Sequence, residues 1–387
     1  MKTIPDVMLI GGGVIGLTTA FELAKAHVRV CVVDKGDLGQ ESSWAGAGII
    51  SPGNPARART VLGRLKAEGA RLFPLLSAEL QELTGMDNGY LRCGGLELRR
   101  SSDALERQRI ANLLKAERGE GLSCHVLDSE SLHALEPNLS AELPGAVHFP
   151  EMAQVRNPWH LRALVAACEK LGVQFHRHVT VREFEVHGQQ INAVRSDQHR
   201  LEARNFIVTS GAWSEKLLNS IGLRTGIKPI RGQIVLYHAG RQLFRHILQV
   251  GSEYLVPRAD GRILVGSTEE DVGFEKQNTE EAIAHLRRLA ESLVPALAET
   301  AIERCWAGLR PGNADGKPVL GRAPRYENLY IAAGHFRSGI HLSAITALLM
   351  KQLVLQEPLA IPLDTFWPSR FGRGEGEPAQ TCQALRP

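Results

Sequence analysis

The sequence predicts an α/β fold with an α+β second domain, and three observations lead to it. Val7 to Ile10 is a short apolar run that passes through Gly11-Gly12-Gly13-Val14-Ile15-Gly16 into a helical stretch ending near Ala26. Residues 223–305 instead hold apolar runs separated by turns, the pattern of an antiparallel sheet. Between Leu329 and Leu355 the chain returns to a strand followed by a helix. The two patterns alternate along the chain, so the two domains are interleaved.

The first element is a strand–turn–helix. A second run, Val28 to Val33, ends at Asp34, which completes a G-x-G-x-x-G turn with an acid about twenty residues on. Gly11, Gly13 and Gly16 let backbone amides approach a pyrophosphate at the helix start, where Val14 and Ile15 begin the first turn and the dipole favours negative charge. Asp34 can accept hydrogen bonds from ribose hydroxyls. This predicts a Rossmann-like dinucleotide site, and the glycine pattern alone does not separate NAD from FAD. Ser42-Ser43-Trp44-Ala45-Gly46-Ala47-Gly48-Ile49-Ile50 follows, small and hydroxyl residues that suit a backbone passing close to a flat ring.

The spacing next predicts a long helix from Leu62 to Leu83, a strand from Gly94 to Arg99 and a polar helix from Asp103 to Glu117. Trp159-His160-Leu161 opens a helix whose Leu161, Leu164, Val165, Cys168 and Leu171 share one face. Strands are expected around Phe175 to Phe184, Ile191 to Val194 and Ile207 to Val208. The antiparallel runs are Gln233 to Tyr237, Tyr254 to Pro257 and Ile263 to Gly266, with Asp260-Gly261 as a hairpin signal. An amphipathic helix carrying Ile283, Leu286, Leu289 and Leu293 comes after them. The last strand, Leu329 to Ala333, breaks at Gly334, and a helix spans Gly339 to Leu355. The expected division is 1–84, 150–222 and 306–365 for the nucleotide-binding domain, 85–149 and 223–305 for the second domain, and 366–387 for a tail. That tail, rich in Gly, Pro and Glu after about Phe371, is expected to be poorly ordered.

Composition narrows the function classes. The 387 residues carry 45 Lys and Arg against 42 Asp and Glu, a net charge of +3 that recommends no nucleic-acid partner. Arg57 with Arg59, and Arg287 with Arg288, read as solvated faces. No apolar run is read as approaching the roughly 20 residues of a membrane span, and the N-terminal run lacks a signal-peptide cleavage pattern, so a cytoplasmic location is expected. Cysteines 31, 93, 124, 168, 305 and 382 lack C-x-x-C spacing, and the histidines lack ligand-like spacing. Reduced structural thiols and no metal site are expected.

The stretch from Trp306 to Ile340 holds Arg310 and Arg337 in Gly/Pro-rich turns on either side of the last strand. Arginine is a planar, permanently charged fork matched to carboxylates, so the pair suggests an anion site.

Together these segments resemble the D-amino-acid oxidase superfamily of FAD enzymes and, within it, the glycine oxidases of the thiamin pathway. The resemblance runs nearly end to end, through GGGVIG, ESSWAGAGIISP, IVTSGAWS (207–214), KPIRGQIVLY (228–237), EYLVPR (253–258) and GRILVGST (261–268). Its most specific parts are WAGLRPGNADGKPVLGR (306–322) and GHFRSGI (334–340). It implies a Rossmann-like FAD-binding domain interleaved with an antiparallel-sheet substrate domain. It implies FAD contacts at the glycine turn, Asp34, Lys35, Ser42, Ser43, Ala47, Gly48, Ile49, Val179, Gly211 and the turn His335, Phe336, Arg337, Ser338, Gly339, Ile340 and His341. Free amides from Ser338 to His341 would favour negative charge on the reduced flavin, and His335 is not read as a base.

Sarcosine-oxidase-like relatives tether flavin to a cysteine close to where this chain has Gly308-Leu309-Arg310, so non-covalent FAD is implied. Arg310 would anchor the substrate carboxylate, Tyr254 would hydrogen-bond it, and Arg337 would lie near flavin and substrate. The implied reaction is oxidation of glycine, sarcosine or a small D-amino acid by O2 to an imine. The imine is hydrolysed or passed to a thiazole synthase, in a homo-oligomeric enzyme. Ser252 and Ile49 fall where some glycine oxidases carry histidine and methionine, and Glu269 lies in a region that shapes the pocket, so side-chain preference stays open. The alternatives are a D-amino-acid dehydrogenase that uses a quinone or other acceptor, a catalytically silent flavin subunit, and an NAD-dependent dehydrogenase.

Overall fold

The computed structural model describes residues 4–371. The tail expected beyond Phe371, with Cys382, lies outside the described residues. Val7–Ile10 sits inside a six-stranded sheet, flanked by Val30–Val33 on one side and Asn205–Val208 on the other, both parallel to it. Leu329–Ala333 extends the sheet in parallel beyond Asn205–Val208, Val319–Arg322 adds an antiparallel edge, and Gln174–His176 closes the other side. All four residues of Val7–Ile10 and of Val30–Val33 are buried, which is why these strands read as continuous apolar runs. Val7 and Leu9 point into a core with the helices Val14–Lys25, Val61–Thr84, Asn157–Lys170 and Gly339–Leu355; Met8 and Ile10 point into a separate core on the other face.

The second sheet has eight strands, in the order Ile302–Gly312, Lys228–His238, Arg262–Gly266, Glu253–Pro257, Ile247–Val250, Gly95–Leu98, Gly145–Phe149 and His125–Asp128. Its pairs are antiparallel except Ile247–Val250 with Gly95–Leu98. Val235, Tyr237, Ile263 and Val265 pack against Leu286, Leu289 and Leu293 of the helix Glu280–Leu293. Each fully buried leucine there contributes on the order of 1.5–3 kcal/mol, so this helix is held mainly by its apolar face.

Four readings are corrected by the fold. The Gly/Pro-rich stretch at Arg310 is not a turn: Ile302–Gly312 is one strand of eleven residues, paired with Lys228–His238 as far as Lys228↔Gly312. It lies at the sheet edge, where Pro311 can be accommodated without breaking a ladder on both sides. Residues 306–312 therefore belong to the antiparallel sheet. Phe175 to Phe184 is divided: Gln174–His176 joins the six-stranded sheet, and Glu183–His187 pairs with Gln190–Arg195 in a three-stranded sheet.

Third, a helix starts earlier than expected. Trp159 does not open it; the helix begins at Asn157, with Pro158 in the first turn, where a missing amide hydrogen is harmless. Fourth, Phe336–Leu355 is long and apolar enough by length and composition to cross a membrane. In this fold it is a core element, packed on Val14–Lys25 and Val61–Thr84 with Leu342, Ile345, Leu349 and Met350 buried. Among the described residues the cysteines are free, with Cys31, Cys124 and Cys168 buried.

Candidate active site and cofactor cleft

A cleft of about 490 Å³ runs from the glycine turn to the inner face of the antiparallel sheet, a volume ordinary for a small-molecule site. It opens beyond the carboxyl ends of Val7–Ile10 and Val30–Val33, where parallel sheets characteristically bind ligands.

Backbone closeness shapes the nucleotide end. Gly11 has φ +119°, and a Cβ there would lie 2.5 Å from the Thr209 carbonyl oxygen; a Cβ on Gly16 would lie 1.9 Å from the Gly11 oxygen. Asp34 accepts the Gly12 amide at 2.6 Å and the Gly36 amide at 2.9 Å. Burial raises its pKa, opposed by those two bonds and by Lys35. The Lys35 ammonium lies 3.2 Å from the Trp213 ring centre and 3.1 Å from Glu41. Ser43 Oγ accepts the Val14 amide at 2.9 Å, and Asn157 Nδ2 donates to the Ser43 carbonyl at 2.7 Å.

Further along, Gly48 has φ +76° and presses on Val155, whose carbonyl oxygen would be 2.1 Å from an added Cβ. Behind it Arg258, 8% exposed, donates to the Ala47 carbonyl at 2.8 Å, to the Val155 carbonyl at 3.2 Å and to the Gln154 side chain. Burial pushes its pKa down to about 10.

At the sheet end, Arg310 donates through Nη2 to Ser267 Oγ at 2.6 Å and through Nη1 to the Thr268 carbonyl at 3.0 Å. Its guanidinium lies flat over Gly232 of the neighbouring strand, where an added Cβ would be 2.1–2.3 Å from Nη2, Nη1 and Cζ. The Tyr254 ring covers its cross-strand partner Gly266 in the same manner, with Oη 2.9 Å from an added Cβ. Two glycines thus make room for an arginine and a tyrosine on one face. Burial lowers the Arg310 pKa; Tyr254 and Glu269 oppose that shift, and Arg337 adds to it. Arg337 reaches in from the turn after Gly334, where Phe336 adopts φ +49°, and donates to the Ser252 carbonyl at 2.9 Å. Two guanidiniums and a phenol on one cleft can bind a carboxylate.

Every expected site residue lines this cleft except Gly16, Ser338 and His341. Gly16 packs under the turn. The Ser338 amide is not free, because it donates to the His335 carbonyl at 2.9 Å. His341 turns away: its Nδ1 accepts the Ser51 amide at 3.2 Å and its Nε2 donates to the Lys66 carbonyl at 2.8 Å. His335 lines the cleft, but its Nε2 lies 3.0 Å from Thr346 Oγ1. Ser267, Thr268, Arg258 and Trp213 were missed by the sequence reading. The one available signal was the pair of glycines inside strand patterns, Gly232 and Gly266, since such glycines mark a close approach.

Burial lowers the pKa of His160 and His335 to about 3 and of His341 to about 4, against 6.5 for a free imidazole. Neutral in the fold, they resist protons that the unfolded chain takes up below about pH 6.5. Their effect on stability is level above that pH and grows more unfavourable as pH falls toward 3–4. The melting temperature should therefore drop between pH 7 and 5, and His335→Gln should flatten that slope. An unchanged slope would show that His335 takes up protons in the folded protein as readily as in the unfolded chain.

The cleft fits FAD on its own geometry. It is elongated, begins in a glycine cradle that Cβ atoms would fill, and runs past the Gly46–Ile49 backbone to the 335–340 turn. Among the described residues, no cysteine lines it.

Comparison with known proteins agrees. The DAO family model, FAD dependent oxidoreductase, matches residues 6–353. The glycine oxidase of Pseudomonas aeruginosa is 34% identical over 360 residues, 92% of this chain and 96% of its own. The bifunctional protein ThiO/ThiG of Synechocystis is 33% identical over 393 residues, 100% of this chain and 57% of its own. The crystal structure of glycine oxidase from Geobacillus kaustophilus matches with a TM-score of 0.90 at 30% identity, covering 95% of this chain and 99% of that one. A cleft built for a dinucleotide, in a chain matched almost end to end, belongs to the DAO family of FAD-dependent oxidoreductases.

Proposed function

We propose that the protein oxidises glycine, and with it sarcosine or small D-amino acids, to the imine. Hydrolysis of the imine gives glyoxylate and ammonia from glycine, and O2 is reduced to H2O2. The observation that carries this reading is the Arg310 guanidinium lying flat on Gly232 beside Tyr254, at the sheet end of the FAD cleft. Bound FAD, held without a covalent bond, supplies the two-electron acceptor.

The chain's own residues bind and orient the amino acid. Ser267 and Thr268 take one Arg310 bond each, which fixes the fork and leaves further donors for a carboxylate. Tyr254 offers a hydroxyl to the same carboxylate, and Arg337 adds positive charge near it. A small pocket between these groups and the 46–49 backbone positions the amine-bearing carbon. Once the amine is neutral no strong base is required, and His335, held neutral by burial and engaged with Thr346, is not assigned that task. The glycine oxidase relatives support the substrate. The bifunctional relative, of which this chain spans 57%, supports delivery of the imine to a partner function such as thiazole synthesis for thiamin.

The test is anaerobic addition of glycine to the purified yellow protein, followed by air. Bleaching with rapid recovery and one equivalent of peroxide is expected. Bleaching with slow recovery would favour a dehydrogenase with a quinone or other acceptor, and an unchanged spectrum would overturn the glycine assignment.

A further inference from the structure

The segment leaving Arg262–Gly266 reads Ser267-Thr268-Glu269-Glu270-Asp271. Ser267 and Thr268 hold Arg310, as described. Glu270 turns away and is consumed by structure: it accepts Arg231 Nε at 2.9 Å and Gln233 Nε2 at 2.9 Å. Asp271 is paired with Lys228. Among the described residues Glu269, between Thr268 and Glu270, pairs with Arg337 alone. Its side chain is 51% exposed, its Oε2 lies 3.9 Å from Arg337 Nε, and its charge is felt by Arg310. Arg337 makes its hydrogen bond elsewhere, to Ser252.

We propose that Glu269 is a charge filter at the substrate end of the cleft, which turns away amino acids with a second carboxylate and favours neutral or cationic ones. This rests on the reading of Arg310 and Arg337 as a carboxylate site. Arg310 and Arg337 line that end of the cleft, and Glu269 stands beside it, 3.9 Å from Arg337, so two cations and one anion set its charge. A monocarboxylate bound there cancels the remaining charge. A dicarboxylate brings an anion too many, and Arg337, the cation left for it among the described residues at that end, already faces Glu269. The separations fall within the ~8 Å screening length of physiological salt, so the repulsion is felt there and fades at high ionic strength. A half-exposed carboxylate acts modestly, which suits a discriminator better than an anchor.

The probes are acetate and malonate, titrated into the FAD-loaded protein and followed by the flavin absorbance change, which needs no turnover. The wild type is expected to bind acetate more tightly than malonate. Glu269→Gln should narrow that preference about fivefold at low salt. Glu269→Asp should retain most of it, and about 1 M NaCl should shrink the difference between wild type and the glutamine variant. A preference unchanged in Glu269→Gln, or both acids weakened alike, would overturn the filter. If the wild type bound neither acid, the carboxylate site itself would be refuted and the filter with it. If it bound acetate, failure of the filter would leave that site standing.

Discussion

Replacing Arg310 with alanine is expected to lower kcat/KM for glycine by about two to three orders of magnitude while FAD stays bound. Truncating one partner of a sheltered ion pair loses roughly 2–5 kcal/mol, at about 1.4 kcal/mol per decade. Among the described residues the guanidinium has no buried carboxylate partner; it donates to Ser267 Oγ and the Thr268 carbonyl. Removing it therefore subtracts substrate binding more than protein stability.

Gly232→Ala offers an independent route to the same loss, because the new Cβ would sit 2.1–2.3 Å from the guanidinium and push it off the sheet. Glycine kinetics, acetate binding and flavin content measured on both variants check the assignment. A normal glycine KM in Arg310→Ala would sink it. A normal KM in Gly232→Ala alone would show that the arginine binds from another rotamer.

Gly16→Ala should have the largest effect on the cofactor. Its Cβ would lie 1.9 Å from the Gly11 carbonyl oxygen, a backbone atom that cannot step aside, and 2.9 Å from Thr209 Oγ1. Helix and glycine turn would have to separate, and the purified protein is expected to retain less than about a tenth of stoichiometric FAD, given that the third glycine serves close helix–strand packing. Gly13→Ala should be milder, since its Cβ would meet only Ser43 Oγ at 3.1 Å, whereas a bulky residue at Gly13 would fill the cleft. The ratio of flavin to protein absorbance reads both, with circular dichroism to confirm a folded chain. Stoichiometric flavin in Gly16→Ala would contradict the packing role.

The parallel sheet was legible because its strands are buried on both faces and its glycine turn has one workable geometry, so local pattern and tertiary role coincide at Val7–Ile10 and Gly11–Gly16. The edge strand Ile302–Gly312 was not legible. Gly308, Pro311 and Gly312 signal a turn locally, and only pairing with Lys228–His238 makes them a strand. His341 shows the same limit: it directly follows the motif that holds Arg337, yet the helix rotates it away toward Ser51 and Lys66.

What the sequence determined by itself was the chemistry available: a pyrophosphate cradle, an acid after the second strand, two arginines and a tyrosine. Tertiary structure alone decided how those groups meet. Arg310 faces the cleft because its strand pairs in a register that sets Gly232 beneath it, and Tyr254 joins it because Gly266 is its cross-strand partner. Side-chain convergence of this kind depends on register between strands distant in the chain, and a one-residue slip would send each group to the opposite face.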